Sequence, residues 1–178
     1  MKKLFVLTIF SMGLSMLSCK KVQELTQFDL NYSSEITIPT STGLNLPFSI
    51  STPDIPTNIE SEFSVKDTNK DLIEKITLKS LNLSITNPPE GNFDFLKSVE
   101  IYIKAEGLDS VLIASKTNIE DGLGRSLSLN VSQTDIKDYI KKDKFGLEIK
   151  SVTDKLITKD HTLKVDGVFF VDAKILGL

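Results

Sequence analysis

The feature that most limits how this chain can fold is a repeated alternation of apolar and polar residues. Apolar residues recur at every second position in the segments 44–50, 99–103, 127–131, 145–149 and 163–175. Neighbouring side chains of a β-strand point to opposite faces of a sheet, so a period of two is typical of a strand with one buried face. The alternation therefore predicts a chain built mainly from half-buried strands.

Two local irregularities refine this prediction. Between residues 76 and 85 the apolar positions change phase at Lys79–Ser80, and one extra residue there would keep both halves of the strand facing the core. A β-bulge has this effect, and we predict one at Lys79–Ser80. Pro47 lacks an N–H and cannot donate to a ladder, so the strand over 44–50 is predicted at a sheet edge or at a bulge.

Helical periodicity is confined to two stretches. Thr134 is placed to cap a short helix that runs to residue 142, and residues 69–75 form a second stretch of about two turns at most. Many short strands separated by turns rich in Gly, Pro, Asn and Asp predict an all-β fold. The expected architecture is an antiparallel two-sheet β-sandwich, immunoglobulin-like, with one or two short helices. A lipocalin-like barrel is the alternative.

The N-terminal segment has the pattern of a targeting signal. Lys2 and Lys3 are followed by an uncharged, mostly apolar run over 4–17. A transmembrane helix needs about 20 apolar residues, so this run is too short for a permanent span. The pattern is typical of a secretory signal peptide, and we expect residues 1–18 to be removed.

Met16-Leu17-Ser18-Cys19 resembles the lipobox of bacterial lipoproteins, in which a small residue precedes an invariant cysteine. The family most often has Leu where this chain has Met16. The resemblance implies that Cys19 becomes the first residue, receives a diacylglyceryl thioether and an amide-linked acyl chain such as palmitate, and anchors the protein to a membrane. The alternative is an ordinary secreted protein with Cys19 as a free thiol.

The same resemblance divides the chain and gives its location. It implies a lipidated N-terminus and tether over residues 19–26, and the strand pattern predicts a single β-sandwich domain over the remaining residues 27–178. Lys20 and Lys21 follow the cysteine, where some lipoprotein sorting systems have the Asp that marks retention in the inner membrane. The expected location is therefore the cell envelope, at the outer membrane rather than the inner membrane.

Composition excludes several classes of function. The formal net charge is −3, so the basic surface that nucleic-acid binding requires is missing, and no nucleic-acid partner is expected. One Cys and one His provide neither a disulfide framework nor a zinc site of the Cys/His type. No cofactor is predicted. The length of 178 residues is enough for one core without disulfide bonds.

Catalysis has one candidate base. His161 is the only histidine, and the chain has many serines with which it could form a Ser-His-Asp arrangement. However, no Gly-x-Ser-x-Gly elbow is present. We therefore predict no catalytic residues, and we expect His161 to be an exposed loop side chain.

One short segment has a partial metal-binding pattern. Asp67, Asn69 and Asp71 place oxygen donors on alternate residues, as the first part of a calcium-binding loop does. The pattern then departs from such a loop, because Leu72 takes the position of the turn glycine and Leu78 that of the closing carboxylate. It is typical of a polar turn before a helix, and no metal site is predicted beyond this weak calcium candidate.

A second resemblance concerns the fold. The pattern L-x-L-x-I-x-N-P over residues 81–88, followed by the strand at 99–103, resembles the strand-Asn-Pro element of late-embryogenesis-abundant type 2 sandwiches. The resemblance implies a sandwich fold and no particular function.

Together these features indicate a non-catalytic, membrane-anchored lipoprotein whose β-sandwich is a binding or envelope-assembly module. Its partners would be the membrane, through the N-terminal lipid, and a protein or glycan contacted by the loops at 87–96 and 116–125. Phe93 and Phe95 flank Asp94 in the first loop and could anchor an interface if exposed, although large apolar side chains more often lie in the core. A lipid or small-molecule carrier and a hydrolase are the alternatives.

Overall fold

The computed structural model describes residues 26–40, 47–64 and 68–174. Within these ranges, two layers of β-strands enclose a common core. The strands are β1 (Gln27–Ile38), β2 (Pro47–Ser51), β3 (Ile55–Pro56), β4 (Ile73–Asn87), β5 (Leu96–Lys104), β6 (Val111–Lys116), β7 (Ser126–Ser128), β8 (Asn130–Val131), β9 (Lys144–Thr153) and β10 (His161–Ala173). The helices are α1 (Ile59–Ser64) and α2 (Lys137–Ile140), and a short 3-10 helix covers Lys70–Leu72.

The strands pair into two antiparallel sheets. The first sheet has the order β1-β10-β4-β7, and the second has the order β2-β9-β5-β6-β8, with β3 also paired to β9. The predicted all-β fold, an antiparallel two-sheet sandwich with short helices, is therefore confirmed. None of the described helices is long and apolar enough to span a bilayer.

The alternation of apolar and polar residues predicts the strands correctly because successive side chains of a pleated strand point to opposite faces of the sheet. Along β10 the side chains alternate between buried and half-buried positions without interruption. Leu163, Val165 and Val171 point into the core from this strand. Each fully buried Leu or Val side chain contributes about 1.5–3 kcal/mol relative to leaving it in water, so a one-residue slip of β10 would be strongly disfavoured.

The predicted bulge in β4 is confirmed. Val168 of β10 lies opposite Ser80, but the next residue, Phe169, lies opposite Leu78, so Lys79 has no partner in the ladder. The extra residue shifts the phase, and both halves of β4 face the core. Lys79 is left exposed, and its ammonium group pairs with Asp29 at 2.6 Å.

The edge position predicted for Pro47 is also confirmed. Pro47 is the first residue of β2, which lies at the edge of the second sheet and pairs with β9 alone. A residue without an N–H is tolerated at such a position. Residues 44–46 of the predicted strand lie outside the described residues.

The segment predicted as one strand over 127–131 is instead two short strands in different sheets. β7 pairs with β4 in the first sheet, whereas β8 pairs with β6 in the second. Between them the amide of Leu129 donates to the carbonyl of Leu81 at 3.0 Å. The chain therefore crosses from one layer to the other within a few residues.

Both helix predictions are too long. Residues 69–75 form only the 3-10 helix over Lys70–Leu72, and Ile73 already begins β4. The helix at 134–142 shortens to α2, which begins after Ile136 without a side-chain cap. The amide of Ile136 is instead bonded to the carbonyl of Ile76, so this segment follows the edge of β4 rather than continuing a helix. Pairing with β4 thus overrides local helix propensity.

An aromatic cluster packs between the sheets. The ring of Tyr32 meets those of Phe145 and Phe169 edge-on, with centroids 5.2 and 5.4 Å away. Its hydroxyl donates to the carbonyl of Thr57 at 2.7 Å. Burial, together with the negative charge of Glu62, raises the pKa of Tyr32, so the hydroxyl remains a donor at physiological pH.

The strand register gives the sandwich two ends. Gln27 lies opposite Asp172, and this end, where β1 begins, is the proximal end. Ile38 lies opposite His161 at the distal end. The loops of the distal end, the distal loops, are residues 88–95, 117–125 and 154–160. Since a strand rises about 3.3 Å per residue, the 12 residues of β1 separate the two ends by roughly 40 Å.

Candidate functional site

Hydrogen bonds tie the distal loops to one another. The amide of Gly122 donates to Oδ1 of Asp94 at 2.8 Å, which joins the second loop to the first. The amide of Asp154 donates to the carbonyl of Phe95 at 3.1 Å, which joins the third loop to the first. Loops held in this way lose little conformational entropy when a ligand binds.

Arg125 fastens the second loop to the end of β4. Its guanidinium donates twice to the carbonyl of Ile85, at 2.7 and 3.1 Å, and once to the carbonyl of Thr86 at 3.1 Å. The amide of Ile85 in turn donates to the carbonyl of Arg125 at 2.9 Å. Hydrogen bonds from a charged group are worth about 1.5–3 kcal/mol, so this contact is a main support of the distal end.

A cavity of about 320 Å³ opens between the first and third loops. It lies within the usual range of small-molecule sites, about 300–1,000 Å³, at its lower end. Its lining combines apolar, amide, hydroxyl and charged side chains: Pro88, Glu90, Gly91, Asn92, Asp94, Phe95, Lys155, Leu156, Thr158, Lys159 and His161.

His161 is not the exposed loop side chain that we expected. It is the first residue of β10, only 9% of it is exposed, and its ring packs against that of Phe95 with centroids 4.9 Å apart. Nδ1 lies 2.8 Å from the carbonyl of Lys159. Because a carbonyl only accepts hydrogen bonds, Nδ1 carries a proton, and in the neutral imidazole Nε2 is then the acceptor.

Nε2 of His161 is the free atom of this ring. Among the described residues it has no hydrogen-bond partner, and it is not among their buried unpaired atoms. His161 lines the cavity, so this acceptor is available there. A Ser-His-Asp arrangement would need a carboxylate at Nδ1 and a hydroxyl nucleophile at Nε2, and here a carbonyl occupies the first position.

Four charged side chains at the cavity form two ion pairs, whereas Asp94 accepts a hydrogen bond from the amide of Gly122. Nζ of Lys159 lies 2.6 Å from Oε1 of Glu90, and Nζ of Lys155 lies 2.6 Å from Oδ2 of Asp121. The hydrogen bond from Lys159 holds the pKa of Glu90 below its usual value, and the hydrogen bond to Asp121 raises the pKa of Lys155. Each ion pair therefore joins opposite charges, and the charges within each pair cancel.

Exposed apolar side chains gather at the same end. Leu156, 48% exposed, belongs to the third distal loop, and Leu123, 39% exposed, belongs to the second. In the described part of the chain, the other large apolar side chain of comparable exposure is Leu112, at 38%, on β6. Leu156 is part of the cavity lining, whereas Leu123 is not.

The residues proposed for partner contact lie in the first distal loop, but their roles differ. Phe93 is 1% exposed and Phe95 is 5% exposed, so both rings belong to the core, as large apolar side chains more often do. The amide of Phe93 donates to the carbonyl of Gly124 at 3.0 Å. Asp94 is partly exposed and lines the cavity. The two rings therefore pack in the core beside the loop and are not exposed for contact with a partner.

Two other predicted sites lie wholly or partly outside the described residues. Cys19, the predicted lipidation site, is one of them. Of the calcium candidates, Asp67 is outside as well, whereas Asn69 and Asp71 are described. Oδ1 of Asn69 accepts a hydrogen bond from the amide of Asp71 at 2.9 Å, so it caps the 3-10 helix. The described ranges contain no group of His, Cys, Asp and Glu side chains that could hold a metal ion.

A larger cavity of about 730 Å³ lies at the proximal end. Acidic side chains outnumber basic ones along its wall. The acidic ones are Asp54, Glu106, Asp109 and Glu148, and the basic ones are Lys104 and Lys144. Lys144 is paired with Asp54 at 2.6 Å, so the remaining charge is negative.

Sequence analysis identified two distal loops but missed the third, which contributes Lys155, Leu156 and Lys159. A signal for part of it was present. His161 shares the phase of Leu163 and Val165, so the alternation of β10 extends back to the histidine and predicts an inward-facing ring.

No protein-family model matches the chain, and no curated protein shows significant similarity to it. Some solved structures share its layered strands at low similarity. FLHE is 8% identical with a TM-score of 0.34, and the match covers 82% of this chain and 98% of that one.

Two further solved structures with low similarity are a carbohydrate-binding module and a capsid protein. CBM32-5 of CpGH89 from Clostridium perfringens, solved in complex with GalNAc-beta-1,3-galactose, is 11% identical with a TM-score of 0.37, and the match covers 81% of this chain and 97% of that one. The decameric BFDV capsid protein is 7% identical with a TM-score of 0.38, covering 83% of this chain and 99% of that one. At these scores the similarity carries no argument about ligand or activity.

Proposed function

We propose that the protein is a non-catalytic lipoprotein, anchored through Cys19 to the outer membrane, whose distal loops bind a partner in the cell envelope or beyond it. The observation that carries the proposal is the cavity between the first and third distal loops, which has the exposed Leu156 in its lining. The exposed Leu123 lies in the second distal loop, which is hydrogen-bonded to the first. Rigidly held loops with apolar rims are well suited to recognition.

The position of this surface agrees with an N-terminal anchor. The chain enters the described domain at the proximal end, roughly 40 Å from the distal loops along β1. A lipid at Cys19 would leave a tether of a few residues before Gln27. The proximal end would then face the membrane and the distal loops would point away from it.

Anchoring is tested by metabolic labelling with an alkyne analogue of palmitate. The wild-type chain should take up the label and accumulate as a precursor in the presence of globomycin, because this compound blocks cleavage before a lipidated cysteine. Cys19→Ala should abolish labelling, whereas Lys21→Ala should label normally. Normal labelling of the Cys19→Ala variant, or processing that is insensitive to globomycin, would refute the lipoprotein assignment.

Recognition by the distal loops is tested separately by photo-crosslinking in living cells. A photoreactive p-benzoylphenylalanine replaces Leu123 at the distal end or, as the matched control, the exposed Glu106 at the proximal end. The proposal predicts discrete adducts from position 123 and none of the same size from position 106. Equal adducts from both positions would show that the distal end has no special role.

A further inference from the structure

The chemistry of the distal cavity limits what it can bind. Its floor holds His161, a buried imidazole whose Nε2 is an acceptor without a partner among the described residues. Nε2 is accessible although most of the ring is buried, so a ligand in the cavity can donate a hydrogen bond to it. The ligand should therefore carry a hydroxyl or an N–H group.

The charge of the lining favours a neutral ligand. The lining has two acidic side chains, Glu90 and Asp94, and two basic ones, Lys155 and Lys159, so neither sign is in excess along it. Both lysines are also in ion pairs, Lys159 with Glu90 and Lys155 with Asp121. A bound anion would have to compete with Glu90 and Asp121 for the lysines, and a bound cation would have to compete with the lysines. The ammonium groups keep further N–H donors and the carboxylates keep further lone pairs, so the rim can both donate to and accept from one neutral molecule.

The apolar part of the cavity adds a third requirement. Leu156 is half exposed at the rim, and the edges of Pro88 and Phe95 line the wall. A sugar ring presents C–H groups on one face and hydroxyl groups at its edge, and each hydroxyl both donates and accepts. A volume of about 320 Å³ suits one such ring rather than an extended chain.

We propose that the distal cavity binds a single neutral sugar ring, with Nε2 of His161 accepting a hydrogen bond from a ring hydroxyl and Leu156 covering a C–H face. This inference rests on the proposed role of the distal loops as the binding surface. It narrows the partner class from protein or glycan to a glycan that ends in a neutral residue.

The experiment uses the full-length protein, purified in a detergent that has no sugar headgroup. The probes are the methyl glycosides of glucose, galactose, mannose and N-acetylglucosamine. Saturation-transfer NMR detects weak binding, and titration gives the dissociation constant. Methyl glucuronide and a short neutral peptide, N-acetyl-trialanine amide, test the competing ligand classes.

Three variants locate the binding. His161→Asn keeps an N–H close to the position of Nδ1 but lacks an acceptor at Nε2, and Leu156→Ser removes the apolar rim. Each should weaken the binding of the preferred glycoside by about tenfold or more, the equivalent of one lost contact. Leu112→Ser, a similarly exposed leucine on β6 outside the cavity, should leave binding unchanged within about twofold.

Each outcome decides the inference. Binding of a neutral glycoside that is lost in His161→Asn and in Leu156→Ser but kept in Leu112→Ser supports it. No binding of any neutral glycoside, tighter binding of the glucuronide or of the peptide, or equal binding by all variants overturns it. A circular dichroism melt of each variant shows that a lost signal reflects the site and not unfolding.

The sugar inference and the proposed function can fail independently. If the glycosides do not bind but position 123 still gives specific crosslinks in cells, the ligand class is wrong and the distal binding surface remains. If neither the glycosides bind nor position 123 crosslinks, the distal surface itself is wrong. Labelling at Cys19 reports on anchoring in either case.

Discussion

The two ends of the sandwich both carry a cavity, but they differ in charge and in how their loops are held. The proximal cavity is the larger, at about 730 Å³ against about 320 Å³, yet its wall has an excess of acidic groups and it lies where the chain enters the domain. The distal cavity has equal numbers of acidic and basic lining groups, a histidine in its lining and three loops bonded to one another. The proposal of a distal binding site therefore rests on charge balance and on the histidine, and not on volume.

The largest expected effect is the loss of stability when a buried aromatic ring is removed near either end of the sandwich. Phe93→Ala at the distal end and Phe63→Ala at the proximal end each remove a fully buried ring and should lower the free energy of unfolding by about 3–5 kcal/mol. Hydrogen exchange of the 117–125 amides should accelerate at low denaturant only in Phe93→Ala, because loss of the ring frees residue 93 to move and so weakens the bond from its backbone amide to the carbonyl of Gly124. The same acceleration in Phe63→Ala would show that the ends are not independent.

A smaller loss should follow from removing the clamp on the second loop. Arg125→Ala deletes the charged donors to the carbonyls of Ile85 and Thr86 and should cost about 1.5–3 kcal/mol in urea denaturation. Its control is Lys144→Ala, which removes an exposed ion pair with Asp54 at the proximal end and should leave the midpoint unchanged. Equal midpoints for both variants would contradict the bracing described for the distal end.

A matched pair of glycines compares the crowding at the two ends. A Cβ on Gly91 would lie 2.9 Å from Cγ2 of Ile85 and 3.0 Å from the carbonyl oxygen of Pro88, so Gly91→Ala should destabilise the protein by about 1–3 kcal/mol. A Cβ on Gly146 would meet the flexible side chain of Lys104 at 3.2 Å. Gly146→Ala should change the thermal midpoint little or raise it, since glycine weakens a strand by about 0.5–1 kcal/mol relative to alanine. A larger loss of stability in Gly146→Ala than in Gly91→Ala would contradict this difference in crowding.

The smallest effect is a pH dependence confined to the distal end. The pKa of Glu90 lies below its ordinary value of 4.5 because Lys159 donates to its carboxylate. A carboxyl group whose pKa is lowered by folding stabilises the folded state above its ordinary pKa, and this contribution is lost as the pH falls through the lowered value. NMR titration should show Glu90 ionising below that ordinary value in the wild type and closer to it in Lys159→Ala. An unchanged titration would mean that the ion pair does not form in solution.

The sequence predicted those features of the fold that depend only on residues close together in the chain. The inward face of β10, the bulge at Lys79 and the edge position of Pro47 all follow from pleat periodicity and from the missing N–H of proline. β1 was missed although its sequence alternates: Phe28, Leu30, Tyr32, Ile36 and Ile38 share one face, and Ser34 is the polar residue among them. What the local pattern does not indicate is the partner of this strand, because β10 lies more than a hundred residues away.

The candidate site was harder to predict from the sequence than the strands, because it depends on pairing between distant strands. The loops at 87–96 and 116–125 were identified from their turn residues, but nothing local shows that 154–160 joins them. This follows only from the pairing of β9 with β5 and of β10 with β4. The length of α2 was overestimated for the same reason, because Ile136 is committed to β4 rather than to a helical turn.

The place of β10 in the first sheet sets the order in which the domain can assemble. This strand is the last along the described chain, yet it lies between β1 and β4, and β1 pairs with no other strand. Contacts between such distant segments form slowly, because the intervening chain must close a long loop first. A chain that crosses a membrane with its N-terminus first would keep β1 unpaired until residues 161–173 had emerged. The first sheet would therefore stay incomplete almost to the end of the passage.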